Sequence, residues 1–181
     1  MSRPAVFFDR DGTLMHDVAY ASSPEQVRLI PGASRAVQQL AGAGYLILLV
    51  TNQSGLGRGL FSPDDYELVH ARFVELLGAE GALLDGSYHC PHAPDAGCEC
   101  RKPGLALFRR AVAEHDVELS ASWCIGDRWR DAEPAQALGA SGLLVPSPAT
   151  PQDDLIRARA GGMLAESLPD AAHRILLDRE E

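Results

Sequence analysis

Apolar residues along this chain fall into short unbroken runs, and the segments between the runs carry apolar positions at helical spacing. PAVFFD (residues 4–9) and YLILLV (residues 45–50) show no polar alternation, the pattern of strands buried on both faces. SWCIGD (122–127) and LLVP (143–146) are runs of the same kind, and LLDGSYH (83–89) is a less apolar one. Residues 33–43 place Ala36, Val37 and Leu40 on one helical face and run out near Gly42 and Gly44, as helices commonly do. Residues 62–77 open on Ser62-Pro63-Asp64-Asp65, which supplies an N-cap, a first-turn proline and early acids. Helical patterns over 105–115 and 132–138 complete the set. The proline-rich piece 146–154 reads as a surface connection, and 164–177 as a short final strand and helix.

Strands alternating with helices predict an α/β fold, a Rossmann-like and mainly parallel sheet with helices on both faces and a site beyond the carboxyl ends of the strands. Asp9, Thr51 and Asp127 each end a predicted strand, so all three are expected at one edge. The chain has 181 residues, 46% of them hydrophobic and 23% charged, which suits one domain over 1–181 with no large cap. No apolar run approaches a membrane span, and the start MSRPAVFFDRDG lacks the apolar core of a signal peptide, so a cytoplasmic protein is expected. A formal net charge of -9 argues against nucleic acid and anionic lipid as partners. A small phosphorylated molecule remains compatible if the site itself gathers cations. Nothing in the pattern demands more than a monomer.

Candidate chemistry begins at FFDRDGTL. Asp9 and Asp11 follow an apolar strand, and Gly12 lets the backbone turn beside them. Two such carboxylates can share a divalent cation, one attacking phosphorus while the other handles protons. A bare D-x-D is more often a solvated acidic turn. Here VTNQSG (with Thr51), RKPG (with Lys102) and GDRWRD (with Asp127 and Asp131) follow in order. Singly, Thr51 reads as a turn cap, Lys102 as a surface cation and Asp127 as an N-cap; as an ordered set at strand ends they read as a site. Together they resemble the four motifs of the haloacid dehalogenase (HAD) superfamily of phosphohydrolases. The resemblance implies Asp9 as a nucleophile that forms an aspartyl-phosphate and Asp11 as the general acid and base. It implies Mg²⁺ held by Asp9, the Asp11 backbone carbonyl and Asp127, with Thr51 and Lys102 on the phosphate. Asp131 would orient these groups rather than bind the metal.

Cys90, His92, Cys98 and Cys100 have the spacing C-x-H-x5-C-x-C, four nitrogen and sulfur ligands that can close a tetrahedron around Zn²⁺. Their loop, residues 88–103, holds Pro91, Pro94 and Gly97 and little apolar material, so a structural metal would replace a core there. A redox pair fits less well because no C-x-x-C is present. His89 is the surplus member, expected to be packed or solvated, and Cys124 reads as a small core residue. This cluster resembles the zinc-containing histidinol-phosphatase-like group of HAD enzymes, which includes heptose-bisphosphate and histidinol-phosphate phosphatases. Three loops, 15–20, 53–60 and the zinc loop, would then enclose the substrate, with Asp17, Tyr20, Asn52, Gln53 and Ser54 as contacts; His16 is a further polar candidate. Arg58, Arg101 and Arg128 suit a second phosphate, since a guanidinium pairs with phosphate in bidentate fashion. The implied activity is hydrolysis of D-glycero-D-manno-heptose 1,7-bisphosphate to heptose 1-phosphate; loss of the anomeric phosphate is the other way to read that substrate. Histidinol phosphate is the alternative ester, and a zinc-stabilised non-catalytic binding module is the alternative class.

Overall fold

The structure is a computed structural model, and residues 2–179 are described. Five parallel strands form one sheet in the order β3-β2-β1-β4-β5. They are β1 (Ala5–Phe8), β2 (Leu46–Asn52), β3 (Gly86–Cys90), β4 (Trp123–Gly126) and β5 (Ser141–Leu144). The helices are α1 (Ala33–Gly42), α2 (Ser54–Gly57), α3 (Pro63–Ala79), α4 (Ala106–His115), α5 (Trp129–Ala132), α6 (Pro134–Leu138), α7 (Gln152–Ala160) and α8 (Leu168–Asp178). Side chains alternate across the sheet as a pleat requires. Val6, Phe8, Ile47, Leu49, Ile125 and Leu143 face a core shared with α1, α3 and α8. Ala5, Phe7, Leu46, Leu48, Val50 and Cys124 face a second core shared with α4 and α6. Because both faces are covered, the strands need no polar alternation, which is why they read as continuous apolar runs.

The structure departs from the sequence expectation in four places. The third strand starts at Gly86 rather than residue 83, and Leu83 stays 70% exposed. Asp85 ends that approach, since its carboxylate accepts from the Ile47 N–H at 2.7 Å. The helix expected at 132–138 is two short pieces, α5 and α6, divided at Pro134, which has no N–H to donate. The surface connection 146–154 gives way to α7 at Gln152, and the final strand is reduced to one parallel bridge between Leu144 and Leu164. The Ser62 cap forms as expected: its hydroxyl accepts from the Asp65 N–H at 3.1 Å, and the Asp65 carboxylate accepts in return from the Ser62 N–H at 2.8 Å. Among the described residues no helix is long and apolar enough to cross a membrane.

Candidate active site

The strand order reverses beside β1, and the loops after β1 and β4 diverge there, which opens a crevice at the carboxyl edge of the sheet. Asp9 leaves β1 with its N–H bonded to the Ile125 carbonyl at 2.9 Å, so its position is fixed by the last rung of the β1–β4 pairing. The Arg10 carbonyl then accepts from the Leu14 and Met15 N–H groups, each at 3.0 Å, and closes a tight loop. Gly12 has a φ of 83°, and a Cβ there would lie 2.4 Å from Asp127 Oδ2, so only glycine lets the two acidic loops approach.

A cavity of about 290 Å³ occupies the crevice. Its floor holds Asp9, Asp127 and Asp131, all buried, with carboxylate oxygens within 4.8 Å of one another. Lys102 is the cation that makes this crowding tolerable. Its Nζ lies 2.7 Å from Asp9 Oδ1 and 2.8 Å from Asp131 Oδ1, and it donates to the Val50 carbonyl at 2.6 Å. Burial alone would push the Lys102 pKa down, but the Asp131 and Asp9 carboxylates outweigh it and hold the ammonium above its ordinary range. Burial raises Asp131. Burial, with the charges of Asp9 and Asp131, raises Asp127 to about 6, although Ser147 donates to its Oδ2 at 2.6 Å.

Thr51 is buried at the end of β2, and its hydroxyl accepts from Gln53 Nε2 at 2.8 Å. The same Gln53 nitrogen donates to Asp11 Oδ2 at 2.7 Å. Asn52 sits on the cavity wall, but its amide is committed to Lys102: Oδ1 accepts from the Lys102 N–H at 2.9 Å, and Nδ2 donates to the Lys102 carbonyl at 3.2 Å. The lysine is thus held at its backbone from β2 as well as by its own loop. Asp17, Tyr20, Ser54, Arg101 and Arg128 line the cavity. Arg58 does not. Its guanidinium lies 5.5 Å from the centre of the Tyr20 ring and bonds the Tyr20 hydroxyl, so it reaches the cavity only through that side chain.

Beside this edge the four zinc-type ligands converge. The Cys90 sulfur is 3.6 Å from Cys98, 3.2 Å from Cys100 and 3.6 Å from His92 Nδ1. A tetrahedron with metal–sulfur bonds of about 2.3 Å has edges near 3.8 Å, so the cluster is close to the size zinc needs. The loop presses on α2, where a Cβ at Gly57 would meet Ala93 N at 2.4 Å.

A HAD-hydrolase-like family model matches residues 99–171. The chain is 38% identical over 148 residues to a D-glycero-beta-D-manno-heptose-1,7-bisphosphate 7-phosphatase of Rhodopseudomonas palustris, covering 78% of this chain and 82% of that one. It is 40% identical to a D-glycero-D-manno-heptose-1,7-bisphosphate 7-phosphatase of Thermosynechococcus vestitus, with 80% of each chain covered. The fold superposes on the crystal structure of the D,D-heptose 1,7-bisphosphate phosphatase from B. bronchiseptica complexed with magnesium and phosphate. That superposition has a TM-score of 0.85 at 32% identity and covers 97% of this chain and 99% of that one. This chain belongs to that family of HAD phosphatases.

Four residues of this HAD phosphatase, Arg10, Arg130, Ser147 and Thr150, escape a reading of the motifs. Arg10, between the two motif aspartates, is fully buried and bonds Asp11 and Gln53. Arg130 joins the cavity wall two residues after Arg128, a spacing visible in GDRWRD. Ser147 and Thr150, in a segment that reads as mere connection, hold Asp127 by its carboxylate and by its carbonyl, the latter at 2.7 Å. His89 proves to be packed, its ring centre 4.3 Å from that of Tyr66, and Cys124 is a buried core residue.

The raised Asp127 carboxyl has a measurable consequence in Mg²⁺-free buffer. It binds its proton more tightly folded than unfolded, so its ionisation penalises the folded state above about 6 and the penalty disappears as pH falls towards 3.8. Asp127→Asn should therefore be more stable than the parent at pH 7.5 by on the order of 2–3 kcal/mol. The difference should shrink to about 1 kcal/mol near pH 4.5 and vanish only below about 3.8. Melting curves of both proteins across that range check it, and a difference that stays constant with pH would contradict it.

Proposed function

We propose that this phosphatase hydrolyses D-glycero-D-manno-heptose 1,7-bisphosphate to heptose 1-phosphate through a covalent intermediate on Asp9. The observation that carries the reading is the Asp9–Lys102 pair on the cavity floor. Oδ1 holds the ammonium at 2.7 Å, and Oδ2 is left to attack phosphorus. In the first step Asp9 Oδ2 bonds to phosphorus as the bond from phosphorus to the sugar oxygen breaks, and Asp11 gives that oxygen its proton. In the second, water gives a proton to Asp11 and its oxygen bonds to phosphorus, the bond to Oδ2 breaks, and inorganic phosphate leaves. Lys102 offsets the charge of nucleophile and phosphate, and the Thr51 hydroxyl meets a phosphate oxygen.

The free oxygens on the floor support a Mg²⁺ site. Asp127 has Oδ2 engaged by Ser147 and keeps Oδ1, and Asp9 Oδ1, already on Lys102, has a second lone pair for a cation while Oδ2 stays free to attack. Asp131 is turned to other groups: Oδ1 lies 2.8 Å from the Lys102 ammonium, a charge contact without a directed hydrogen bond, and Oδ2 accepts from the Arg128 N–H at 3.1 Å. The ligands are then Asp9 and Asp127 with the Asp11 carbonyl, and Asp131 orients Lys102. Bound there, the cation would neutralise the oxygens of the phosphoryl group in transfer.

Cys90, His92, Cys98 and Cys100 fit Zn²⁺ by donor type and spacing. With four protein ligands the site has no open position, so its role is to hold the loop. About one zinc per chain should survive dialysis, measured by elemental analysis. Cys98→Ser should lower stability by several kcal/mol and activity only secondarily; zinc-free protein of undiminished stability would contradict the assignment.

Arg101, Arg128 and Arg130 lie on the cavity wall with Asp17 as the one acid outside the floor and Asp11, a surplus of cation that suits a second phosphate better than the amine of histidinol phosphate. The names of the relatives specify the 7-phosphate, which favours heptose 1-phosphate as product over loss of the anomeric phosphate. We read residues 1–181 as a single cytoplasmic phosphatase domain, monomeric, acting on this small sugar phosphate. The test is kcat/KM for both anomers of the heptose bisphosphate against histidinol phosphate. The heptose ester should be preferred by at least about 100-fold, some 2.7 kcal/mol; preference for histidinol phosphate would overturn the substrate assignment.

A further inference from the structure

Arg10 has only 1% of its surface exposed, yet its guanidinium carries a charge that proteins do not remove. A buried cation is costly unless paired, and Asp11 is its only ion-pair partner among the described residues. Nε lies 3.1 Å from Asp11 Oδ2, and Nη2 lies 3.2 Å from Asp11 Oδ1. Nη2 also donates to Gln53 Oε1 at 2.9 Å, and Gln53 Nε2 returns to Asp11 Oδ2 at 2.7 Å. Arginine, glutamine and the carboxyl group thus close a ring on Asp11: Oδ2 accepts twice, while Oδ1 accepts once and keeps a lone pair for the proton that a general acid must carry. A cation serving only to staple the loop after β1 would be expected to donate to backbone carbonyls; the hydrogen bonds of this side chain go to Asp11 and Gln53 alone. Nη1 has no hydrogen-bond partner, and the guanidinium instead lies 5.5 Å from the centre of the Tyr66 ring. Tyr66 is itself anchored on α3 and packed against His70 and His89. The support therefore runs from the α3 face of the core, through an aromatic ring, to a carboxylate that remains partly open to the cavity, its side chain 23% exposed.

We propose that Arg10 is a positioning residue: with Gln53 it clamps the Asp11 carboxylate in the orientation from which a proton reaches the leaving oxygen. This rests on the reading of Asp11 as general acid. The clamp matters most when the leaving oxygen is a poor one, because an aryl oxide departs without a proton and an alkoxide does not. The readout is kcat/KM for a sugar phosphate against p-nitrophenyl phosphate, which reports only steps up to departure of the leaving group. Arg10→Lys, which cannot span both partners, should lower the sugar-phosphate value by about 100-fold and the aryl value by less than about tenfold. Gln53→Met, which opens the same ring from the other side, should show the same split and serves if the arginine variant fails to fold. In an Asp11→Asn background Arg10→Lys should leave the ratio of the two substrates unchanged. Parallel losses on both substrates, or a further change of the ratio in that background, would overturn the proposal. If Asp11→Asn alone shows no dependence on leaving group, the role of Asp11 falls and the clamp falls with it; if it does and the clamp variants do not, only the clamp falls.

Discussion

The Asp9→Asn enzyme should release phosphate at least about four orders of magnitude more slowly than the parent, and it should melt no lower. Activity goes because an amide oxygen cannot form the acyl phosphate. Stability stays because the floor is over-supplied with negative charge: Asp9, Asp127 and Asp131 converge within 4.8 Å around one ammonium. Asparagine keeps an oxygen for Lys102 and removes one charge from the crowd that raises Asp127 to about 6. Phosphate release by a coupled assay and a melting curve in Mg²⁺-free buffer give both numbers. Activity within about tenfold of the parent would remove Asp9 from the chemistry.

Lys102→Met should fail on both counts. Turnover should fall about 1000-fold, as when a group that stabilises transition-state charge is removed. Stability should fall by about 3–5 kcal/mol, because two buried carboxylates lose their only shared cation. Folding raises the Lys102 pKa above its ordinary 10.5, so its contribution is fully present below that value and lost only above it. Between pH 6 and 9 the lysine therefore stays charged in the parent and adds no pH dependence of its own to the difference. The contrast between the two variants is itself informative: the same ion pair is broken from either side, and only the loss of the cation destabilises.

The edge where these groups meet was legible from the sequence because it depends on local pattern. Apolar runs ending in Asp9, Thr51 and Asp127 place three side chains at strand ends, and a parallel sheet brings those ends to one side. The four zinc-type ligands were legible by spacing, since three of them lie within eleven residues of the first. What could not be read was anything fixed by tertiary approach. Arg58 looks like a phosphate ligand in NQSGLGRG, yet the position of Tyr20, 38 residues earlier, diverts it. Asn52 looks like a substrate contact, but its amide meets the Lys102 backbone across 50 residues. Arg10 is hidden between two motif aspartates because alternation along the chain turns it into the protein, and only the depth of Tyr66 reveals what receives it. Asp131 shows the same limit: its spacing from Asp127 suggests an orienting role, and only the structure places its two oxygens at the Lys102 ammonium and the Arg128 N–H.

Lys102 and the loop that carries the cysteine cluster also stand in a clearer relation. Lys102 follows Cys100 by two residues, so a metal on the cluster would fix one side of the lysine backbone, and Asn52 fixes the other from β2. Two such anchors would together explain how a long flexible side chain is held between two carboxylates at the floor of an open cavity.

The measurement that reaches the centre of this account is capture of the covalent intermediate. Enzyme in excess, mixed with heptose bisphosphate and Mg²⁺, would be quenched in acid within the first turnover and reduced with borohydride, which converts an acyl phosphate to the alcohol. Peptide mass spectrometry should then find homoserine at position 9, at a level approaching the enzyme turned over. Reduction at another carboxylate, or full phosphate release with position 9 unchanged at every quench time, would contradict it.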